Sequence, residues 1–435
     1  MQGSGLSQVI LMTRNNYFFV ATGLLSYLFI FYFIRKYDHP IPINKAKNPA
    51  VISDSLDTII NTPDTVFLRI CSVGDVMVHE TQLKAQYQLD STYSFDNNFK
   101  YFTSLFKEYD VAIANLETTF TGAKRKYSAY PRFNSPDELA SSLKNAGINL
   151  VSTANNHCYD FLGDGLFRTI KVLQNQGLDH VGTRLDTTEN AYLIREVKGV
   201  KIGFTSFTYE SGVNSINGIA IRDQEIPLIN SFSISDYSDD LNFIVELYNE
   251  MKKNGSELEI MIIHWGDEYQ SSPNKFQKAF SAELQKIGFE IVFGSHPHVV
   301  QPIDFLYADT TNQLTFVAYS MGNFISNQRY ESNKNYRTED GLFVGVEFFK
   351  TKDSIGLHKI CYEPTWVNRF KDGIKYQYEV VPANLAFQQR DSFNCSSNEV
   401  YQRLTNSRTR TMNLIEKPID VSKNYFFDKY LEKNN

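Results

Sequence analysis

From Val66 onward, short β-branched runs alternate with segments of helical period, and five of the runs stop at a cluster of polar side chains. They are VFLRICSV (Val66 to Val73), VAIAN (Val111 to Asn115), INLVSTA (Ile148 to Ala154), LEIMIIH (Leu258 to His264) and EIVFG (Glu290 to Gly294). Between them, Ser135 to Ala146, Gly163 to Gln176, Asp236 to Lys253 and Pro273 to Ile287 read as helices. Ser135-Pro136 gives the first a cap residue followed by proline, and Gly147, Gly177 and Gly288 stand where helix ends favour a left-handed residue. Such alternation predicts an α/β layered fold. Later text is hairpin-like (YLIREV then KIGFTSF, and LTFVAYS, LFVGVEFF and YQYEVV), which predicts a mixed sheet or a second sheet.

The bulk properties narrow the function classes. A chain of 435 residues fits one large domain with an appendage, or two domains. With 42% hydrophobic and 21% charged residues it is not a largely disordered chain. The 43 basic residues are outnumbered by 49 acidic ones, so no nucleic acid is expected as principal partner. Four cysteines in this length exclude a disulfide-dense scaffold, and Cys71, Cys158, Cys361 and Cys395 form no CxxC pair, which excludes a zinc ribbon.

Residues 17–34, YFFVATGLLSYLFIFYFI, carry no charge. As a helix they would span roughly 27 Å, close to the hydrocarbon thickness of a bilayer. No small-x-small site closes the run and Arg35-Lys36 is a poor cleavage flank, so a single-span membrane anchor is expected rather than a cleaved signal. The expected organisation is an N-terminal tail (1–16), an anchor (17–34), a proline-containing linker (35–64), a catalytic-size domain (65–385) and a C-terminal extension (386–435). Arg35, Lys36, Lys45 and Lys47 follow the run and only Arg14 precedes it, which by the positive-inside rule would leave the domain in the cytoplasm.

The chemistry is concentrated at the strand ends. The first run ends GDVMVHE (Asp75, His79), the second NLE (Asn115, Glu117) and the third ANNHCYD (Asn155, Asn156, His157, Asp160). The fourth ends HWGDEY (His264, Asp267, Glu268) and the fifth GSHPHVVQ (Ser295, His296, His298). In layered α/β folds ligands bind beyond the carboxyl ends of the strands, so the five ends should converge. Imidazole beside carboxylate suits Zn, Mn or Fe(II), and an asparagine carbonyl adds a harder oxygen. Two such ions can clamp both oxygens of a phosphoryl displacement. Each residue also has a plainer reading: Asp75 as a turn former, Glu117 as a partner of Lys124, Arg125 or Lys126, His157 as a buried hydrogen-bonded imidazole, and Asn323 in YSMGNFI as a loop fastener. Cys158 reads as a packed thiol. HPH after a strand is hardest to explain by packing, and Pro297 stiffens that turn.

The ordered set GD-x-M, NLE, ANNH-x-x-D, HWG-x-EY, G-x-HPHV-x-Q and YS-x-GNF resembles the CapA-type family of capsule and poly-γ-glutamate biosynthesis, whose members look like calcineurin-type metallophosphoesterases. The resemblance runs from about Val66 to Ile325, with weaker cover to roughly residue 385. It implies a four-layer α/β/β/α sandwich of the metallo-dependent phosphatase type, with one or two divalent ions (Mn, Zn or Fe) at one rim. Position by position it implies Asp75, Glu117 (as the bridge), Asn156, His264, His296 and His298 as metal ligands and His157 as the catalytic residue. His79, Asn155, Asp160 and Asn323 are the expected substrate-side residues. Two departures stand out: Met77 occupies the place of a ligating histidine unless His79 folds back, and Glu117 replaces a shorter aspartate.

The function so implied is a membrane-anchored, metal-dependent hydrolase-like protein of capsule or poly-γ-glutamate-type polymer biosynthesis, cleaving a phosphoester or related bond with a metal-bound hydroxide. The alternative is a non-catalytic polymer-binding assembly or export factor with a degenerate metal site; amide chemistry on a γ-glutamyl chain also stays open. The implied partners are an envelope polymer or its precursor and membrane proteins of capsule synthesis or export. Because those products are surface polymers, the resemblance implies an extracytoplasmic domain at the cell membrane, against the flanking charges.

Overall fold

The computed structural model describes residues 64–308 and 313–415. The apolar run 17–34 lies outside these residues, and among them no helix is long and apolar enough to cross a membrane.

Period-two alternation in the central strands builds the layers. In the Val66–Val76 strand, Leu68 and Ile70 face one way and Cys71 and Val73 the other; in Val111–Leu116, Val111 and Ile113 oppose Ala112 and Ala114. These strands belong to an eight-stranded sheet. Its order runs Lys375–Pro382, Ile355–Asp372, Asp340–Lys350, Val66–Val76, Val111–Leu116, Leu150–Ser152 and Asp179–Val181, and Asn323–Ile325 pairs parallel with the end of Val66–Val76. A seven-stranded sheet runs Ile303–Ala308, Gln313–Ala318, Ile291–Ser295, Leu258–His264, Val200–Tyr209 and Leu193–Val197, with Ser231–Phe232 beside Tyr209.

The sheets meet face to face. Leu68, Ile70, Val111 and Ile113 of the first share a core with Phe204, Ile260, Ile262 and Phe293 of the second. The outer face of the first sheet is covered by Phe99, Phe102 and Phe106 and by Leu139 and Leu143 of the Glu138–Ala146 helix. The outer face of the second is covered by Ile244, Leu247 and Met251 of Ser238–Lys253 and by Phe280 and Leu284 of Lys275–Ile287. Helix, sheet, sheet and helix therefore form four layers, and burial of each apolar side chain, worth roughly 1.5–3 kcal/mol, holds them together. The hairpin-like text is split between the sheets: Leu193–Tyr209 opens the second, while the strands after Asp340 return to the first.

Within the segment read as a C-terminal extension, the Asn398–Ile415 helix buries Leu404 against Trp366 and Val381, and Met412 and Ile415 against the inter-sheet core. It is further tied down by Arg403, bonded to the buried Glu339 at 2.6 Å, and by Arg410, bonded to Asp340 at 2.7 Å.

Candidate metal centre

The rim where both sheets end is set by backbone register. Asp75 lies between Asn323 and Asn115 across the first sheet, and His264 lies between Thr208 and Ser295 across the second. The close approach of Asn323 depends on Gly74: a Cβ there would stand 1.8 Å from the Gly322 carbonyl oxygen. That carbonyl accepts the Asp75 amide at 2.9 Å, which fixes the carboxylate at the strand end.

Asn115 joins the two rows. Its Nδ2 donates to Asp75 Oδ1 at 2.8 Å and lies 3.2 Å from His264 Nδ1, so one side chain spans both sheets. Asn155 supports it, donating to the Leu116 carbonyl at 2.8 Å and lying 3.3 Å from Asn115 Oδ1. His264 Nδ1 also meets Ser295 Oγ at 3.0 Å, which leaves Nε2, 3.0 Å from Asn156 Oδ1 and 3.7 Å from Glu117 Oε1. His298 Nδ1 is 3.1 Å from Asp75 Oδ2 and its Nε2 is 3.7 Å from Glu117 Oε1.

Two ligand groups result: Glu117 with His264 and His296, and Asp75 with Glu117 and His298, each drawn together within 4.8 Å. Glu117 belongs to both. A third and more open group combines Glu268 with His296 and His298. The HPH turn aims its two imidazoles inward at a backbone cost: His296 has φ +98 and His298 φ +56, a region that side-chain-bearing residues enter at about 1–3 kcal/mol each.

The residues fit divalent ions. Glu117 is fully buried and its Oε1 has no hydrogen-bond partner, as is also true of His296 Nδ1. Burial, followed by the nearby Asp75 and Glu268, pushes the Glu117 carboxyl well above the ordinary carboxylate range. Burial and then the neighbouring imidazoles push His264 and His296 well below the ordinary histidine value, so both are neutral, the form that ligates. Among the described residues no lysine or arginine pairs with Asp75 or Glu117, which leaves a cation as the natural counter-charge.

The other expected residues surround this nest. His157 Nδ1 faces Asp160 Oδ2 at 2.9 Å, and that oxygen also accepts the Phe133 amide at 2.7 Å. Phe133 packs edge-on against both His157 and His79. His79 caps the Glu80–Gln86 helix, and its Nδ1 accepts the Asn327 amide at 3.3 Å; burial lowers it to about 4, and it joins none of the ligand groups. Asn323 is fully buried, donates to the Thr338 carbonyl at 2.9 Å and lies 3.2 Å from His298 Nδ1 through Oδ1. Met77 is buried among the core side chains. Cys158 is a free, packed thiol that burial pushes up to about 12.

Asn115 and Ser295 are named in the strand-end clusters without a role, and Tyr209 is not singled out by the sequence. The roles of the first two could have been found from the expected register of parallel neighbours. Tyr209 covers His296 at 4.8 Å between ring centroids, and only the tertiary fold reveals it.

The sequence of residues 69–328 matches the family described as bacterial capsule synthesis protein PGA_cap. The chain belongs to this family. The PGA biosynthesis protein CapA of Bacillus subtilis (strain 168) is 26% identical over 70% of this chain and 74% of its own length. The capsule biosynthesis protein CapA of Bacillus anthracis is 27% identical over 64% of this chain and 63% of its own. Among solved structures, a calcineurin-like phosphoesterase from Bacillus subtilis is similar at 15% identity and a TM-score of 0.38, covering 82% of this chain and all of that one. The family match spans every metal-ligand candidate, from Asp75 to His298.

Proposed function

We propose that the chain is a metal-dependent hydrolase-like protein of capsule or poly-γ-glutamate-type polymer biosynthesis, acting on a phosphoester or related bond at the rim where the two sheets end. One observation carries this reading: a buried Glu117, its Oε1 without a hydrogen-bond partner, shared by two imidazole-containing ligand groups. The capsule and PGA biosynthesis for which the two CapA relatives are named supplies the biological context.

Asp75, Glu117, Asn156, His264, His296 and His298 would hold one or two divalent ions of the Mn, Zn or Fe class. When bound, such ions supply Lewis acidity and make water a stronger nucleophile at neutral pH. The chain's own residues do the remainder. Asp160 accepts from His157 Nδ1 and orients the ring with Nε2 towards the reacting group; the imidazolium form of His157 can then donate its Nε2 proton to the leaving oxygen. Asn115 and Ser295 orient His264, and Asn323 orients His298, so the nest is pre-organised. Tyr209 and Phe133 wall the imidazoles from solvent.

The uncharged run 17–34 supports a single-pass membrane anchor. We assign the domain to the extracytoplasmic side, where an envelope polymer or its precursor and the capsule synthesis or export proteins would meet it. Protease treatment of intact cells tests this: cleavage without lysis supports it, and survival until lysis refutes it.

Protein purified without added metal, then analysed for bound elements and assayed on a chromogenic phosphodiester, tests the hydrolytic reading. Bound divalent metal with turnover lost in His264→Ala and His296→Ala supports it; protein that holds no metal and leaves the ester intact ends it. Met77, where the related pattern has a ligating histidine, favours a second reading, a non-catalytic polymer-binding factor. Retained metal and polymer binding without any turnover would select that one.

A further inference from the structure

We propose that Glu268 is a metal ligand that closes from the solvent side the nest whose floor is Glu117. This rests on the metal-dependent reading above and adds a residue to the same site.

The backbone seats Glu268 there. Trp265 N donates to the Ser295 carbonyl at 3.1 Å, after which the chain turns through Gly266 at φ +94. It then returns to the HPH turn, where Tyr269 N donates to the Pro297 carbonyl at 2.8 Å. Pro297 separates the two histidines, so this bond holds the preceding residue over both of them. A carboxylate oxygen of Glu268 and one ring nitrogen each from His296 and His298 lie within 4.8 Å of one another. Both imidazoles are buried, and His296 Nδ1 is unpartnered. Tyr269 packs on His298 at 6.0 Å between centroids and keeps the loop against the site.

Glu268 also supplies what the rest of the donor set lacks. His296 belongs to the group containing His264, and His298 to the group containing Asp75, so a carboxylate over both can reach an ion in either. Met77 offers only a soft thioether to hard divalent ions. Asp75 and Glu117 bring two negative charges to a site built for as many as two divalent ions, and Glu268 brings a third. The carboxylate is exposed while Glu117 is buried, which makes Glu268 the ligand able to move aside for a substrate oxygen.

The test uses the full-length protein stripped with a chelator and titrated calorimetrically with Mn(II), in wild type, Glu268→Gln, Glu268→Asp and His264→Ala. Because Glu268 is exposed, the metal-free Glu268→Gln protein should melt with the wild type. The expected result is a loss of roughly tenfold or more in affinity for at least one ion in Glu268→Gln, with partial recovery in Glu268→Asp. If Glu268→Gln reproduces the wild-type isotherm while His264→Ala does not, the Glu268 assignment falls and the metal reading stands. If the wild type takes up no Mn(II), both fall.

Discussion

His157 and Asp160 are joined through Nδ1 and Oδ2 at 2.9 Å, and the same carboxylate oxygen accepts the Phe133 amide at 2.7 Å. Asp160 therefore sets both the tautomer and the orientation of the ring. Removing the imidazole in His157→Ala should lower kcat on a phosphodiester by about 10²- to 10⁴-fold. Asp160→Asn should lower it in the same direction by a smaller factor. Metal content, measured on the same samples, should not change in either variant.

Glu117 is shared by both ligand groups, so its replacement should act on both at once. In wild type, divalent metal at a hundred times its dissociation constant should stabilise the fold by about 2.7 kcal/mol per ion. In Glu117→Gln that gain should vanish. The metal-free variant should nonetheless melt no lower than metal-free wild type at neutral pH, because burial beside Asp75 disfavours the ionised carboxylate. Differential scanning calorimetry with and without metal measures both effects.

Gly74 has no room for a side chain, since a Cβ would meet the Gly322 carbonyl at 1.8 Å. Gly74→Ala must part the strand that carries Asp75 from the segment that carries Asn323. The expected destabilisation is about 3 kcal/mol or more, read from urea unfolding, with loss of metal binding in the same variant.

The layered α/β character and the convergence of the strand ends were legible because both depend on local patterns. Leu258–His264 reads as a strand from its apolar run, and its terminal histidine reaches the rim by register alone. Pairings between distant segments were not legible. Asn323 could be a loop residue on sequence grounds, and its contact with His298 arises from parallel pairing of Asn323–Ile325 with the end of Val66–Val76. The 209–232 excursion, whose Ile216, Ile221 and Ile229 pack against Tyr159 and Leu166, carries no strong periodicity. The Asn398–Ile415 helix lies in the stretch assigned to a C-terminal extension, whose Asn, Ser, Lys and Arg content gives no sign of packing, yet Arg403 and Arg410 satisfy buried carboxylates.

Glu347 provides a pH-dependent test of the fold away from the site. Burial raises its carboxyl, but hydrogen bonds from His358 and Arg69 outweigh this and hold it at about 2, below the ordinary 4.5. A depressed folded value means that the stabilisation is present above the ordinary value and is lost as pH falls from 4.5 towards 2. The difference in melting temperature between wild type and Glu347→Gln should therefore shrink as pH falls across that acid window.

Crystals grown with Mn(II) and measured for anomalous scattering test the central claim most directly. The account predicts signal at the sheet rim on Glu117, either one peak or two about 3.5–4 Å apart, flanked by His264, His296, Asp75 and His298. A rim without anomalous signal, in crystals whose surface carboxylates do bind Mn(II), would contradict it.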